Sequence, residues 1–189
     1  MAWVIDNAHT RIEFVAKHMM ITNVRGGFKN YSGTVQIDET NPQNSKVEVS
    51  IDVASLQTGD EKRDGHLKSA DFFDVEKYPT MTFKSKRVEL PAPNSTEHFK
   101  LIGDLTIKDV TKEVVLDVTN EGRQKTPWGT TAAGFTASTS VNRKDWGLTW
   151  NVALEAGGWL VGDTIKINIE TELVQQPEAV TEAAAEKVN

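Results

Sequence analysis

From residue 46 to residue 53 the chain reads Lys-Val-Glu-Val-Ser-Ile-Asp-Val, with an apolar side chain at every second position. Successive side chains of an extended strand point to opposite faces, so this stretch has one apolar and one polar face. A helix would scatter the same residues around its axis. The alternation returns at Ile12, Phe14 and Ala16, at Val35 and Ile37, and at Met81 and Phe83 with Val88 and Leu90 beyond. It returns again from Phe99 to Ile107, at Val114, Leu116 and Val118, from Ala133 to Val141, and from Ile165 to Leu173. Each of these strands must bury one face.

Turn chemistry separates them. An Asp-Asn-Ala-His turn follows a short strand at residues 3–5, and Asn41-Pro42 opens the loop of a hairpin. Pro91 to Ser95, residues 109–112, residues 120–122 and Pro127-Trp128-Gly129 are further connections. Residues 19–25 lose the alternation and read as a helical turn that Gly26 and Gly27 break off. Residues 142–158, with Trp146 and Trp150, read as a long loop anchored by aromatics, and residues 159–161 as a short strand.

About eight strands result, with no βαβ alternation, so the sheet is antiparallel. Many have eight to ten residues and are roughly 25–35 Å long. The expected fold is all-β, either a sandwich or an up-and-down barrel. Eight strands in a closed barrel leave room for side chains or one small ligand. Gly103, Ala133, Ala137 and Thr139 are small residues on apolar faces. They signal either unfilled volume or the taper-packing of an ordinary core.

One segment interrupts the strands, Asp60 to Pro79. Asp60 is placed to cap a helix of about two turns over residues 61–68, although Gly65 weakens it. Leu67 then faces the barrel, and Asp64 and Lys68 pair along the outside. Phe72 and Phe73 plug or line the opening. The segment reads as a cap over the mouth of a barrel. Arg63, His66 and Lys68 either brace that cap or hold the polar end of an amphiphilic ligand.

Several chemistries drop out. There is no cysteine, hence no disulfide, thiolate metal site or cysteine nucleophile. The net charge of −6 gives no basic footprint for nucleic acid. No basic n-region or long apolar run marks a signal peptide or a membrane span, so the expected location is cytoplasmic, or periplasmic if a leader has been removed. Residues 175–189 form a polar Ala/Glu-rich tail, expected to be frayed or disordered beyond a single domain of residues 1–174. His9, His18, His66 and His98 make no HxH or HExxH pattern. Hydrogen-bonded histidines are favoured over a metal site built from His9, His18 and a carboxylate. The pairs Asp71/Asp74 and Asp60/Glu61 offer acid–base machinery, but capping explains them better. No GxSxG elbow or phosphate-loop spacing occurs, and the glycine pairs are turn glycines. Asn94-Ser95-Thr96 matches a glycosylation acceptor. The five tryptophans are scattered, which favours core and loop anchors over a sugar platform.

Several stretches together are similar to the YceI-like family of bacterial polyisoprenoid- and lipid-binding proteins. They are the opening WVIDNAHTRIEFVAKHMMITNVRGGF, the central SLQTGDEKRDGHLKSADFFDVEKYPTMTFKS, then GDLTIKDVTKEVVLDV, PWG, GFTAS, NRKDWGLTW and GWLVGDTIKI, in that order. The resemblance implies a lipocalin-like, extended eight-stranded antiparallel barrel with a hydrophobic tunnel for an isoprenoid or fatty-acyl chain. The wall is then expected at Phe14, Val49, Ile51, Phe83, Leu101, Leu105, Phe135 and Ile167, and the rim at Met19, Met20, Phe72, Phe73 and Trp159. A carrier or storage role without catalysis, metal or cofactor is the first expectation. An enzyme acting on such a lipid through His66 or His9 with Asp64 or Asp71 is the second, and a ligand-free stress-related interaction module the third. An exposed apolar strand face would invite a homodimer.

Overall fold

The computed structural model describes residues 2–93 and 95–175. The strands are β1 (Ala2–Ile5), β2 (Arg11–His18), β3 (Thr22–Phe28), β4 (Tyr31–Gln36), β5 (Lys46–Asp52) and β6 (Leu56–Gln57). The helix α1 (Glu61–Lys68) comes next, then β7 (Thr80–Glu89), β8 (His98–Ile107), β9 (Val110–Lys125), β10 (Thr131–Asn142) and β11 (Val161–Gln175). All pairings between these strands are antiparallel.

The eleven strands make eight staves of a closed barrel. β1 and β2 lie end to end along one edge of β11, with Ile5 opposite Leu173 and Arg11 opposite Glu170. β4 pairs with β1 while β3 pairs with β2, and β5 pairs with β4 while β6 pairs with β3. Three adjacent staves are therefore each broken once, at the same level. β7, β8, β9, β10 and β11 complete the ring. The expected eight-stranded antiparallel barrel is the fold: the ring closes through the β1–β11 and β5–β7 pairs, while β6 pairs with β3 alone.

The breaks expose backbone groups that side chains then satisfy. The Ser55 hydroxyl accepts from the amides of Lys29 (3.1 Å) and Asn30 (3.0 Å). The buried Tyr31 hydroxyl donates to the Thr10 carbonyl at 2.5 Å. The Thr10 hydroxyl accepts from the Glu172 amide at 3.2 Å. This crease across three staves is a joint in the wall held by side-chain hydrogen bonds.

Two local expectations are corrected. Residues 19–25 are not a helical turn: Met19 (φ 50) and Met20 (φ 64) make a tight left-handed turn, and β3 begins at Thr22. The glycine pair sits inside β3 rather than ending an element. A Cβ on Gly26 would lie 2.4 Å from Phe14 Cζ, so the bare backbone is what admits the Phe14 ring. Residues 120–122 are likewise no strand end. β9 runs through them with a bulge at Glu121, because Asn120 faces Phe135 while Gly122 faces Gly134.

Other expectations stand with changed limits. The segment 142–158 is a loop, opened by a 3-10 turn at Arg143–Trp146. Trp159 makes only an isolated bridge to Ala153, and β11 starts at Val161. Gln175 belongs to β11 opposite Trp3, and the rest of the expected tail lies outside the described residues.

Candidate functional site

The inward faces enclose a cavity of about 630 Å³, within the range of about 300–1,000 Å³ usual for ligand sites. Its wall is apolar over most of its height. One end is formed by the starts of β7, β9 and β11 and the ends of β8 and β10. Here Leu67 of α1, Phe72, Phe73, Trp146, Leu148 and Ile107 line the floor. Phe72, Trp146, Leu148 and Ile107 are buried, and the indole of Trp146 donates to the Leu105 carbonyl at 3.1 Å. At the other end the lining passes to Asp38, Glu39, Pro42, Ser45, Thr96, Asn120 and Arg123, all exposed or half-buried. That end is the mouth. The cap segment seals the opposite end, contrary to its expected place over the mouth.

Of the residues expected in the wall and rim, Phe14, Val49, Ile51, Phe72, Phe73, Phe83, Leu101, Leu105, Phe135 and Ile167 line the cavity. Met19, Met20 and Trp159 do not. They lie on two neighbouring loops outside the sealed end, where the Met19 amide donates to the Leu160 carbonyl and Met20 packs on Gly158. With Ile21 and Val152 they make an exposed apolar patch. The small residues divide in the same way. Ala137 and Thr139 face the cavity, whereas Ala133 is buried with Trp3 and Leu173. A Cβ on Gly103 would lie 2.5 Å from Phe83 Cζ, so the Phe83 ring already fills that space.

Arg63, His66 and Lys68 are not among the residues lining the cavity. Asp60 caps α1 as its spacing predicts, accepting from the Arg63 amide at 2.9 Å. Arg63 donates to the Thr58 hydroxyl (2.7 Å) and the Thr58 carbonyl (2.9 Å). Asp64 accepts from the Thr58 amide (2.8 Å) and hydroxyl (2.5 Å), so Thr58 rather than Lys68 engages it. Arg63 and Asp64 thus tie α1 to the strand before it. His66 pairs with Asp71 at 2.8 Å, and its ring stands edge-on to Trp150 (4.5 Å between centroids) and Phe72 (5.2 Å). The His66–Asp71 pair braces the outside of the cap.

Reasoning from sequence missed Arg143, which is 5% exposed and lines the sealed end. Its guanidinium donates to the carbonyls of Gly162 (3.0 Å), Leu148 (2.6 Å), Trp150 (2.9 Å) and Val161 (3.4 Å), with Asp163 at 3.4 Å. Burial lowers its pKa from the ordinary value, and the Asp163 charge opposes that. Arg143 is the internal scaffold of the loop between β10 and β11.

A cation could find three ligand atoms in Asp6, His9 and Glu172, which lie within 4.8 Å of one another. His9 is joined there by Asp6 and Glu172, not by His18, whose strand position faces Val161 at the sealed end. The Asp6 carboxylate hydrogen-bonds His9 at 2.9 Å. That bond raises the His9 pKa and lowers that of Asp6. Burial, aided by the Asp6 charge, raises the pKa of Tyr31.

A closed antiparallel barrel with a capped floor, a polar mouth and an apolar interior defines a lipocalin-like container. The sequence profile of the YceI-like domain matches residues 3–173, and the chain belongs to that family. It is similar to a UPF0312 protein of Staphylococcus aureus strain N315, 36% identical over 171 residues, which are 90% of this chain and 95% of the relative. Among solved structures it resembles the Campylobacter jejuni YCEI protein (35% identity, TM-score 0.72, covering 85% of this chain and 90% of that one). It also resembles Burkholderia cenocepacia BcnA (25%, 0.73, 91% and 99%). A polyisoprenoid-binding domain from Saccharophagus degradans shares the fold at 15% identity (TM-score 0.65, 92% and 98%). No helix among the described residues is long and apolar enough to cross a membrane.

Proposed function

We propose that this chain binds one long apolar lipid, of polyisoprenoid or fatty-acyl type, and carries or stores it. The observation that carries the reading is the continuous apolar wall from Trp146 and Phe72 at the floor to Phe135 and Phe99 near the mouth. Phe14, Val49, Ile51, Phe83, Leu101, Leu105 and Ile167 are its proposed tail contacts. Each buried methylene is worth about 0.8 kcal/mol, so ten of them supply about 8 kcal/mol, the scale of a micromolar complex. The name of the Saccharophagus degradans domain points to the same ligand class. Binding rather than catalysis fits the chemistry: the His66–Asp71 pair lies outside the cavity, and Arg143 is engaged by carbonyls.

Mass spectrometry of an organic extract of the purified protein is the test, followed by uptake from added prenols and fatty acids. A co-purifying or readily loaded long-chain lipid, recovered chemically unchanged, is expected. An empty extract together with no uptake would refute the proposal. Recovery of a modified lipid, lost in His66→Ala, would replace it with an enzymatic one.

A further inference from the structure

The bulge at Glu121 decides what the mouth of the cavity offers a ligand. Along β9, Val114, Leu116, Val118 and Asn120 point inward. With unbroken alternation Arg123 would point outward. The extra residue shifts the parity, as bulges do. Arg123 then sits opposite Ala133, which is buried in the barrel. The bulge is built, not incidental. Gly122 takes φ +109, its amide donates to Asn120 Oδ1 at 3.0 Å, and Thr136 donates to Glu121 Oε1 at 2.9 Å.

Turned inward, the guanidinium lies 5.1 Å from the centre of the Trp3 ring and donates to Glu39 at 2.6 Å. Glu39 comes from the connection between β4 and β5, across the rim. That connection is firm, since Asp38 accepts from the amides of Thr40 (3.0 Å) and Asn41 (2.8 Å). Two arginines line the cavity, and they differ in kind. Arg143 is held by four carbonyls and an aspartate, whereas the partner of Arg123 is a partly exposed carboxylate. An exposed ion pair of this type is worth little and exchanges readily.

We infer that Arg123 is the head-group site of the cavity, that it selects a lipid ending in an anion, and that Glu39 holds the site until such a ligand displaces it. The inference rests on the proposed lipid-binding function and specifies it. The shared chemistry is a carboxylate or a phosphate, both of which match the planar fork of a guanidinium. The tail runs from Arg123 down the apolar wall toward Trp146. Trp3 keeps the guanidinium over the mouth, so the anion meets a fixed donor.

The test compares hexadecanol, palmitate and hexadecyl phosphate as competitors for a fluorescent apolar probe bound by the intact protein. Wild-type protein is expected to prefer both anions over the alcohol, more so at low salt. Arg123→Gln is expected to weaken the two anions about tenfold, with hexadecanol unchanged as the control for folding and for the cavity. Glu39→Gln is expected to strengthen the anions and leave the alcohol alone. Palmitate ahead of hexadecyl phosphate identifies a carboxylate ligand, and the reverse order a phosphate. Equal affinity for all three, unmoved by either substitution, overturns this inference and leaves lipid binding standing. If none of the three enters, both readings fall.

Discussion

Ala137 stands in the middle of β10 with its side chain facing the cavity, between Val118 of β9 and Ile169 of β11. Replacing it by Phe places a ring in open space, where a core position would be overpacked. The ring carries about six carbons into the volume and so displaces about six methylenes of a bound tail, a loss of about 5 kcal/mol at about 0.8 kcal/mol each. The loss is specific to length. In a series of straight-chain alcohols, wild-type affinity should climb about fourfold per methylene until the cavity is full, and then level off. In Ala137→Phe the plateau should arrive about six carbons sooner, leaving short alcohols untouched and weakening the longest by three to four orders of magnitude, roughly. Displacement of a fluorescent probe measures the series, and thermal unfolding checks that the variant is folded. An unchanged plateau would show that tails do not pass Ala137. Equal weakening of short and long alcohols would show that the ring acts by distortion, and either result refutes the reasoning.

Replacing Arg143 by Met leaves four carbonyls without their donor, and urea unfolding should register a loss of about 3–5 kcal/mol. Arg143→Lys should recover only part of it, since an ammonium lacks the guanidinium's fork. Gly103→Ala sets a Cβ against both the Phe83 ring and the Lys84 carbonyl oxygen (2.6 Å), and should cost about 1–3 kcal/mol by the same measurement. The Asp6–His9 pair sets a window of pH. The His9 contribution is full below its ordinary value of 6.5 and is lost as pH rises through the raised folded value. The Asp6 contribution is full above 3.8 and is lost as pH falls through the lowered folded value. An NMR titration should find His9 above 6.5, and Asp6→Asn should bring it back down.

Alternation made the barrel legible because burial on one face acts on every second residue, without reference to distant parts of the chain. The same pattern put Phe14, Val49, Phe83, Leu101 and Ile167 on apolar strand faces, and these residues line the cavity. The cap was legible at Asp60, whose carboxylate serves an amide three residues away. What stayed hidden depends on partners far off in sequence. Arg123 lies just past the expected turn at residues 120–122 and drew no reading, since a bulge is defined by the pairing of Asn120 and Gly122 with β10. Arg143 gave no signal in the sequence, because its acceptors are carbonyls of a loop whose path the sequence does not spell out. Gly103 read equally as unfilled volume or as taper-packing, and the approach of Phe83 decides for packing. The Met19–Met20 turn needed left-handed backbone at two residues that rarely supply it.

Trp3 and Ile5 of β1 pair with Gln175 and Leu173 of β11. The wall therefore cannot close on the ribosome until nearly the last described residue has emerged. Loop closure over some 170 residues is slow compared with hairpin formation, so the apolar faces of the other staves are exposed to one another and to strangers meanwhile. Once closed, the first and last strands act as a clasp. Trimming the chain back past Leu173 should open the whole ring rather than fray one end.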